Sequence, residues 1–128
     1  MARILALDYG SARCGCALSD PTGELATPLA AIPEPGSEGG LEAIARLVEA
    51  REVDEVVVGL PVSLSGGEGA QAAETREFAA RLAERLDVPV ATFDERFTTA
   101  LARRTPGRLP EDSRAAAHLL ESFLSARR

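Results

Sequence analysis

The sequence predicts a single α/β domain, residues 1–128, built on a mixed five-stranded sheet flanked by helices. Three observations carry this reading. The chain opens with three strand-like runs separated by Gly- and Pro-containing turns, the pattern of an antiparallel meander. From Leu41 onward, helical stripes alternate with short continuous apolar runs, the pattern of βαβ units with buried parallel strands. No internal repeat and no linker interrupts the chain, and its length suits one core.

The first strand runs roughly from Arg3 to Tyr9, with Ile4-Leu5-Ala6-Leu7 as its apolar body. Gly10-Ser11-Ala12 turns the chain into a second strand, Arg13 to Ser19. Asp20-Pro21-Thr22-Gly23 is a strong turn signal. A third strand follows, Glu24 to Ile32, and Pro28 inside it points to a sheet edge, because proline cannot donate to a ladder. Pro33 to Gly40 is a loop. Leu41, Ile44, Ala45 and Val48 recur at helical spacing and mark a helix ending near Glu52. Val56-Val57-Val58-Gly59-Leu60 reads as a buried strand, and Pro61 to Gly69 as a Gly- and Ser-rich loop. Phe78, Leu82 and Leu86 stripe a helix from Gln71 to Leu86. Val88 to Phe93 is the fifth strand. A short helical segment over Thr98–Arg104 is broken by Thr105 to Pro110. The last helix carries Ala115, Ala116, Leu119, Leu120, Phe123 and Leu124 on one face, with His118 turned to solvent. Right-handed helical crossovers make the strands at Ile4, Val56 and Val88 parallel, so their carboxyl ends share one edge. Open α/β sheets place their sites at that edge.

Composition narrows the function classes. No apolar stretch approaches the roughly 20 residues that span a bilayer, and no charged-then-apolar leader opens the chain. Cys14 and Cys16 lie two apart on a strand and face the same way. With one His in the chain, they read as small apolar core residues in a reduced, cytoplasmic protein rather than as metal ligands. The net charge of −6 argues against a general polyanion-binding surface, but the charge is divided unevenly. Residues 1–95 carry −10 and residues 96–128 carry +4. A local positive region beside an acidic site is what a phosphodiester enzyme needs, although solvated helix faces give the same split.

The acidic site is read from strand ends. Asp8 closes the first apolar strand, and Asp94-Glu95-Arg96 closes the fifth. A lone Asp before Gly is as readily a turn residue; two strands ending alike at one edge suggest a shared site. Asp112 opens the last helix, three and four residues before Ala115 and Ala116. By position alone it is a helix-start Asp. If that helix crosses the sheet, it joins Asp8 and Glu95. Adjacent strand residues alternate faces, so only one of Asp94 and Glu95 points squarely at the site, and Glu95 is favoured. Clustered carboxylates without His or Cys suit hard cations, chiefly Mg²⁺ or Mn²⁺. Two such ions about 4 Å apart can activate a water and stabilise the leaving oxygen of a phosphodiester. Arg13 meets a phosphate or a surface ion pair. Arg96 contacts substrate or neutralises Asp94. Arg103, Arg104 and Arg108 lie between the carboxyl positions and are the expected phosphate contacts. Tyr9 is the only aromatic near the site, so base stacking is poorly provided for and recognition of backbone and shape is expected.

Several segments together resemble YqgF-type proteins. They are Asp8-Tyr9-Gly10-Ser11-Ala12-Arg13-Cys14-Gly15-Cys16-Ala17 with Ser19-Asp20-Pro21, then Val58-Gly59-Leu60-Pro61 with Gly66 and Glu68. Asp94-Glu95-Arg96-Phe97-Thr98-Thr99 follows, and last Asp112-Ser113 with Ala115-Ala116, Leu120, Ser122 and Leu124. They span nearly the whole chain in the family's order. The resemblance implies an RNase H-like fold and a nuclease that processes pre-16S rRNA or resolves Holliday junctions. It implies a catalytic set of Asp8, the Asp94-Glu95 position and Asp112. Cys14 and Cys16 stand where the family has Ile and Val, and the Thr99–Asp112 segment is shorter than the family's helix and basic loop.

The preferred expectation is a metal-dependent endonuclease acting on structured RNA in ribosome maturation. Branched DNA is the second enzymatic reading, and a non-catalytic nucleic-acid-binding module is the third. An actin-like ATP-binding domain shares the Asp8-x-Gly10 opening but needs two such domains. A weak homodimer or a ribosomal partner is the expected source of further cations for binding.

Overall fold

The computed structural model describes residues 2–22, 25–61, 69–94 and 111–126, with backbone only for residues 111 and 112. Among the described residues there are five strands and three helices: β1 (Ile4–Asp8), β2 (Arg13–Ser19), β3 (Ala26–Pro33), α1 (Glu38–Ala50), β4 (Glu55–Leu60), α2 (Ala70–Arg85), β5 (Val90–Asp94) and α3 (Glu111–Ala126). They form one sheet in the order β3-β2-β1-β4-β5. β1–β2 and β2–β3 are antiparallel, and β1–β4 and β4–β5 are parallel, as the sequence predicts. β3 lies at an edge, where Pro28 pairs with Ala17. The fifth strand begins later than predicted, at Val90 rather than Val88. The expected short helix over Thr98–Arg104 lies outside the described residues.

Strand alternation divides the core into two layers. Leu5 and Leu7 of β1, Cys14 and Cys16 of β2, and Val56 and Val58 of β4 face α1 and α2, meeting Ile44, Phe78 and Leu82. Ile4, Ala6, Ala17 and Val57 face α3, meeting Ala116, Leu120 and Phe123. Ala6 and Ala17 present small side chains to α3. Both cysteines are free and fully buried, as expected of apolar core residues. The buried face of α3 differs from prediction in one place. Ala115 is exposed and Ala117 is buried, because the stripe follows the 3.6-residue period through Ser113, Ala116, Ala117 and Leu120. His118 is also not solvent-facing: its side chain is only 12% exposed, beside Glu121.

Local devices hold the layers in place. A Cβ on Gly10 would lie 2.8 Å from the Arg13 carbonyl oxygen, so the β1–β2 turn depends on glycine. Ser37 caps α1, accepting from the Gly40 N–H at 3.0 Å. α1 ends in a Schellman motif: Glu52 N–H bonds Glu49 O, Val53 N–H bonds Val48 O, and Glu52 takes φ 52°. Among the described residues, no helix is long and apolar enough to cross a membrane.

Candidate functional site

Asp8 and Asp94 end their strands at the same edge of the sheet. β4 lies between them, with Leu7 paired to Val58 and Leu60 paired to Asp94. Two strand spacings of about 4.8 Å separate β1 from β5. The faces differ. Asp8 is in phase with Ile4 and Ala6, which pack under α3. Asp94 is in phase with Val90, which packs with the α1–α2 layer. Phe93, one residue earlier, belongs to the α3 side and meets the Phe123 ring edge-on at 5.6 Å. Asp8 and Asp94 are both half-buried.

α3 brings Asp112 to the same end of the sheet. Asp112 is the second residue of the helix, and helical spacing aligns it with Ala116, Leu119 and Phe123 of the buried stripe. The next residue, Ser113, is fully buried. Its hydroxyl accepts a hydrogen bond from the Cys16 N–H at 3.4 Å and donates one to the Leu29 carbonyl. Cys16 and Leu29 are register partners at an irregularity of the β2–β3 ladder. Between Cys14↔Ile32 and Cys16↔Leu29, β3 contributes one residue more than β2. Cys16 also pairs with Leu7, and its neighbour Gly15 pairs with Asp8. The first turn of α3 is therefore fastened one register step from Asp8, on the face that Asp8 shares.

Of the other sequence-predicted site residues, Arg13 is exposed at the start of β2, close to the same edge. Glu95, Arg96, Arg103, Arg104 and Arg108 lie outside the described residues, as does most of the Ser63–Gly69 loop. α2 starts at this edge without a side-chain cap at Gly69 and without an acidic residue in its first turn.

Tyr9 is in phase with Leu7 and turns to the opposite face. Its ring stacks on Phe78 with centroids 4.5 Å apart, and its hydroxyl donates to Glu74 Oε1 at 2.8 Å. Burial, and next the Glu74 carboxylate, push the Tyr9 pKa up to about 12. The ring is half-buried, with Phe78 against it. On the same strand pair, the Cys14 thiol is raised well above its ordinary pKa, first by its hydrogen bond with Cys16 and then by burial, with the charge of Asp8 adding to the rise. Its environment therefore favours the protonated thiol.

Sequence reasoning missed two residues that shape this edge. Ser113 occupies the first position of the buried α3 stripe, and a Ser in phase with Ala116, Ala117 and Leu120 is a readable sign of a buried polar anchor. Glu74 carried no such sign, because its partner Tyr9 is 65 residues away.

The comparisons with known proteins agree with this architecture. Residues 2–126 match the family model RuvX, described as Holliday junction resolvase. A protein of Chloroflexus aggregans named "Putative pre-16S rRNA nuclease" is 42% identical over 134 residues, covering 98% of this chain and 94% of its own. A Nocardioides protein of the same name is 45% identical over 139 residues, covering 97% and 88%. Among solved structures, Thermus thermophilus RuvC in complex with a Holliday junction substrate shares the fold, with TM-score 0.68, 14% identity and coverage of 99% of this chain and 96% of that one. The fowlpox virus Holliday junction resolvase does so with TM-score 0.57 and 12% identity, covering 97% and 99%. With its RNase H-like sheet and near-complete match to the family model, the chain belongs to the RuvX family, also called YqgF.

Proposed function

We propose that this protein is a divalent-metal-dependent endonuclease that hydrolyses phosphodiester bonds in structured RNA, with precursor 16S rRNA as its substrate during ribosome maturation in the cytoplasm. The observation that supports it most is the pairing of Asp8, in phase with the α3 face of the central strand, with Asp112 on the first turn of the helix fastened to that face.

The donor set fits a hard cation. The edge offers carboxylate oxygens, while both cysteines are turned into the α1–α2 layer and His118 sits in the middle of α3 beside Glu121. Asp8, Glu95 and Asp112 are the proposed catalytic residues and metal ligands, with Mg²⁺ or Mn²⁺ as the ion. Asp94 stands at the margin of the ligand set, since its phase follows Val90. With Asp94 following the phase of Val90, Glu95 is the proposed ligand of the Asp94-Glu95 pair. When bound, a pair of such ions supplies an activated water and charge for the leaving oxygen.

The chain's own residues bind and orient. Asp8 is held by the central strand, hydrogen-bonded on both sides, so its backbone is fixed before substrate arrives. Arg13, Arg96, Arg103, Arg104 and Arg108 are the proposed phosphate contacts. With few cations available, binding is weak, and a second copy or a ribosomal partner adds to it.

Branched DNA is the second reading, favoured by the family description as Holliday junction resolvase. Purified protein is assayed on precursor 16S rRNA fragments and on four-way DNA junctions, each with Mg²⁺ or Mn²⁺, beside Asp8→Asn. Cleavage of the RNA that disappears in Asp8→Asn and in excess EDTA is expected. Cleavage confined to junctions moves the assignment to DNA. Cleavage of neither, or undiminished cleavage by Asp8→Asn, overturns the nuclease site.

A further inference from the structure

We infer that Ser113 is a positioning residue for the metal site: its hydroxyl, bridging Cys16 and Leu29 across the β2–β3 irregularity, sets where Asp112 stands relative to Asp8. This rests on the nuclease reading above and extends it to a residue that touches neither metal nor substrate.

The argument runs from the ladder outward. A bulge disturbs the local hydrogen bonding of a sheet and bends the bulged strand. At this one, the groups of a register pair are joined through a side chain arriving from a helix. Ser113 accepts from the Cys16 N–H and donates to the Leu29 carbonyl, so its hydroxyl is engaged as both donor and acceptor. Both partners belong to hydrogen-bonded strands of the sheet, Cys16 in β2 and Leu29 in β3. Ser113 is fully buried, so no water competes for either bond. Apolar packing of Ala116, Leu120 and Leu124 on the sheet holds α3 down but is non-directional. The Ser113 bonds add what packing lacks, a fixed register of the first turn along the strands. Asp112 is the adjacent residue, and the anchoring strand position, Cys16, is the partner of Leu7, next to Asp8.

Ser19 gives the same chemistry at the other end of the sheet. It is buried, and its hydroxyl accepts from the Ile4 N–H at 2.7 Å, but no carboxylate of the proposed set lies there. It serves as an internal reference.

The test is Mn²⁺ affinity, measured by titration calorimetry without substrate, for the wild type, Ser113→Ala, Leu124→Ala and Asp8→Asn. Circular dichroism establishes that each is folded at the temperature used. Removing a residue that orients a ligand typically weakens metal binding by about 10–100-fold. Ser113→Ala is expected to lose about tenfold or more. Leu124→Ala, which loosens the far end of the same helix, is expected to stay within about twofold of wild type. Wild-type affinity in Ser113→Ala, or an equal loss in Leu124→Ala, overturns the positioning role. Wild-type affinity in Asp8→Asn overturns the carboxylate site itself, which separates the two failures. Should Ser113→Ala not fold, hydrogen exchange on the wild type decides. Saturating Mg²⁺ should slow exchange of the Cys16 amide more than that of the Ile4 amide, and equal slowing overturns the inference.

Discussion

Tyr9 gives the sharpest physical test of this edge of the fold, because it is the only tyrosine and the chain has no tryptophan. Its hydroxyl donates to Glu74 Oε1 at 2.8 Å, and its ring lies on Phe78. Tyr9→Phe keeps the ring contact and removes the hydrogen bond. A bond to a charged acceptor is worth about 1.5–3 kcal/mol, and exposure to water at this pair brings the expected loss to about 1 kcal/mol. The pKa supplies an independent check. It stands at about 12 against the ordinary 10.0, so the folded state favours the protonated phenol. A group with a raised folded pKa contributes its full stability below the unfolded value. That contribution is therefore intact below pH 10 and is lost as pH rises through 10 towards 12.

The assay is the near-ultraviolet absorbance of tyrosinate, which reports this residue alone. The native protein should titrate near pH 12 and the urea-unfolded chain near 10. Glu74→Gln should lower the native midpoint only in part, since burial is the larger cause. Urea unfolding of wild type against Tyr9→Phe should show the gap of about 1 kcal/mol at pH 8, closing as pH rises above 10. A native midpoint at the ordinary value would refute the reasoning, because it would mean that neither burial nor Glu74 holds the hydroxyl. The same residue reports on substrate recognition. If Tyr9 is committed to Phe78, nucleic acid should leave its fluorescence unquenched by stacking.

Three further outcomes are expected. Asp8→Asn should abolish hydrolysis with the fold intact, and its melting temperature should equal or exceed the wild type's because carboxylate repulsion is relieved; activity assays and a thermal melt check both. Replacing Arg103, Arg104 and Arg108 together by Gln should weaken nucleic-acid binding evenly across sequences and flatten the log–log salt dependence by roughly one unit per lost contact, read from an affinity titration in salt. Glu52 closes the Schellman motif at φ 52°, where a side chain costs about 1 kcal/mol, so Glu52→Gly should raise unfolding stability by up to about that amount.

Much of the fold was legible because its signals are local. Gly10 and the Asp20-Pro21 turn bracket β2, and the predicted bounds Arg13 to Ser19 match the observed strand. The three-strand meander, the parallel strands and the edge position of β3 were equally readable from turn chemistry and run length. One boundary slipped at a proline: Val88 opens an apolar run, but Pro89 has no N–H to give a ladder, and β5 begins at Val90. The Pro89 carbonyl does accept from Val56, so pairing starts ahead of the regular strand. On α3 the pair Ala115-Ala116 was read as one stripe because alanine is ambiguous; packing on the sheet selects Ala116 and Ala117 instead. His118 was misplaced for a related reason, since its polarity suggested solvent while its position beside Ala117 and Leu119 covers most of its surface.

The strand-end positions of two carboxylates of the proposed site were legible. Asp8 and Asp94 end apolar runs, and an apolar run that stops at a carboxylate is visible in any sequence. The face each one takes was legible only as an alternation rule, and the phases of Val90 and Phe93 give that rule its direction: Asp94 goes with the α1–α2 side. What sequence cannot display is the contact that joins distant segments. Ser113 meets Cys16 across 97 positions, and nothing near Ser113 announces a disturbed ladder at Cys16. Yet this contact fastens the helix bearing Asp112 one step from the strand bearing Asp8. A carboxylate pair drawn from two ends of a chain needs such a fastening, because apolar packing alone leaves a helix free to slide along its sheet by small amounts. The buried hydroxyl at the start of α3 supplies the directional restraint, and it stands where the two carboxylate-bearing elements meet.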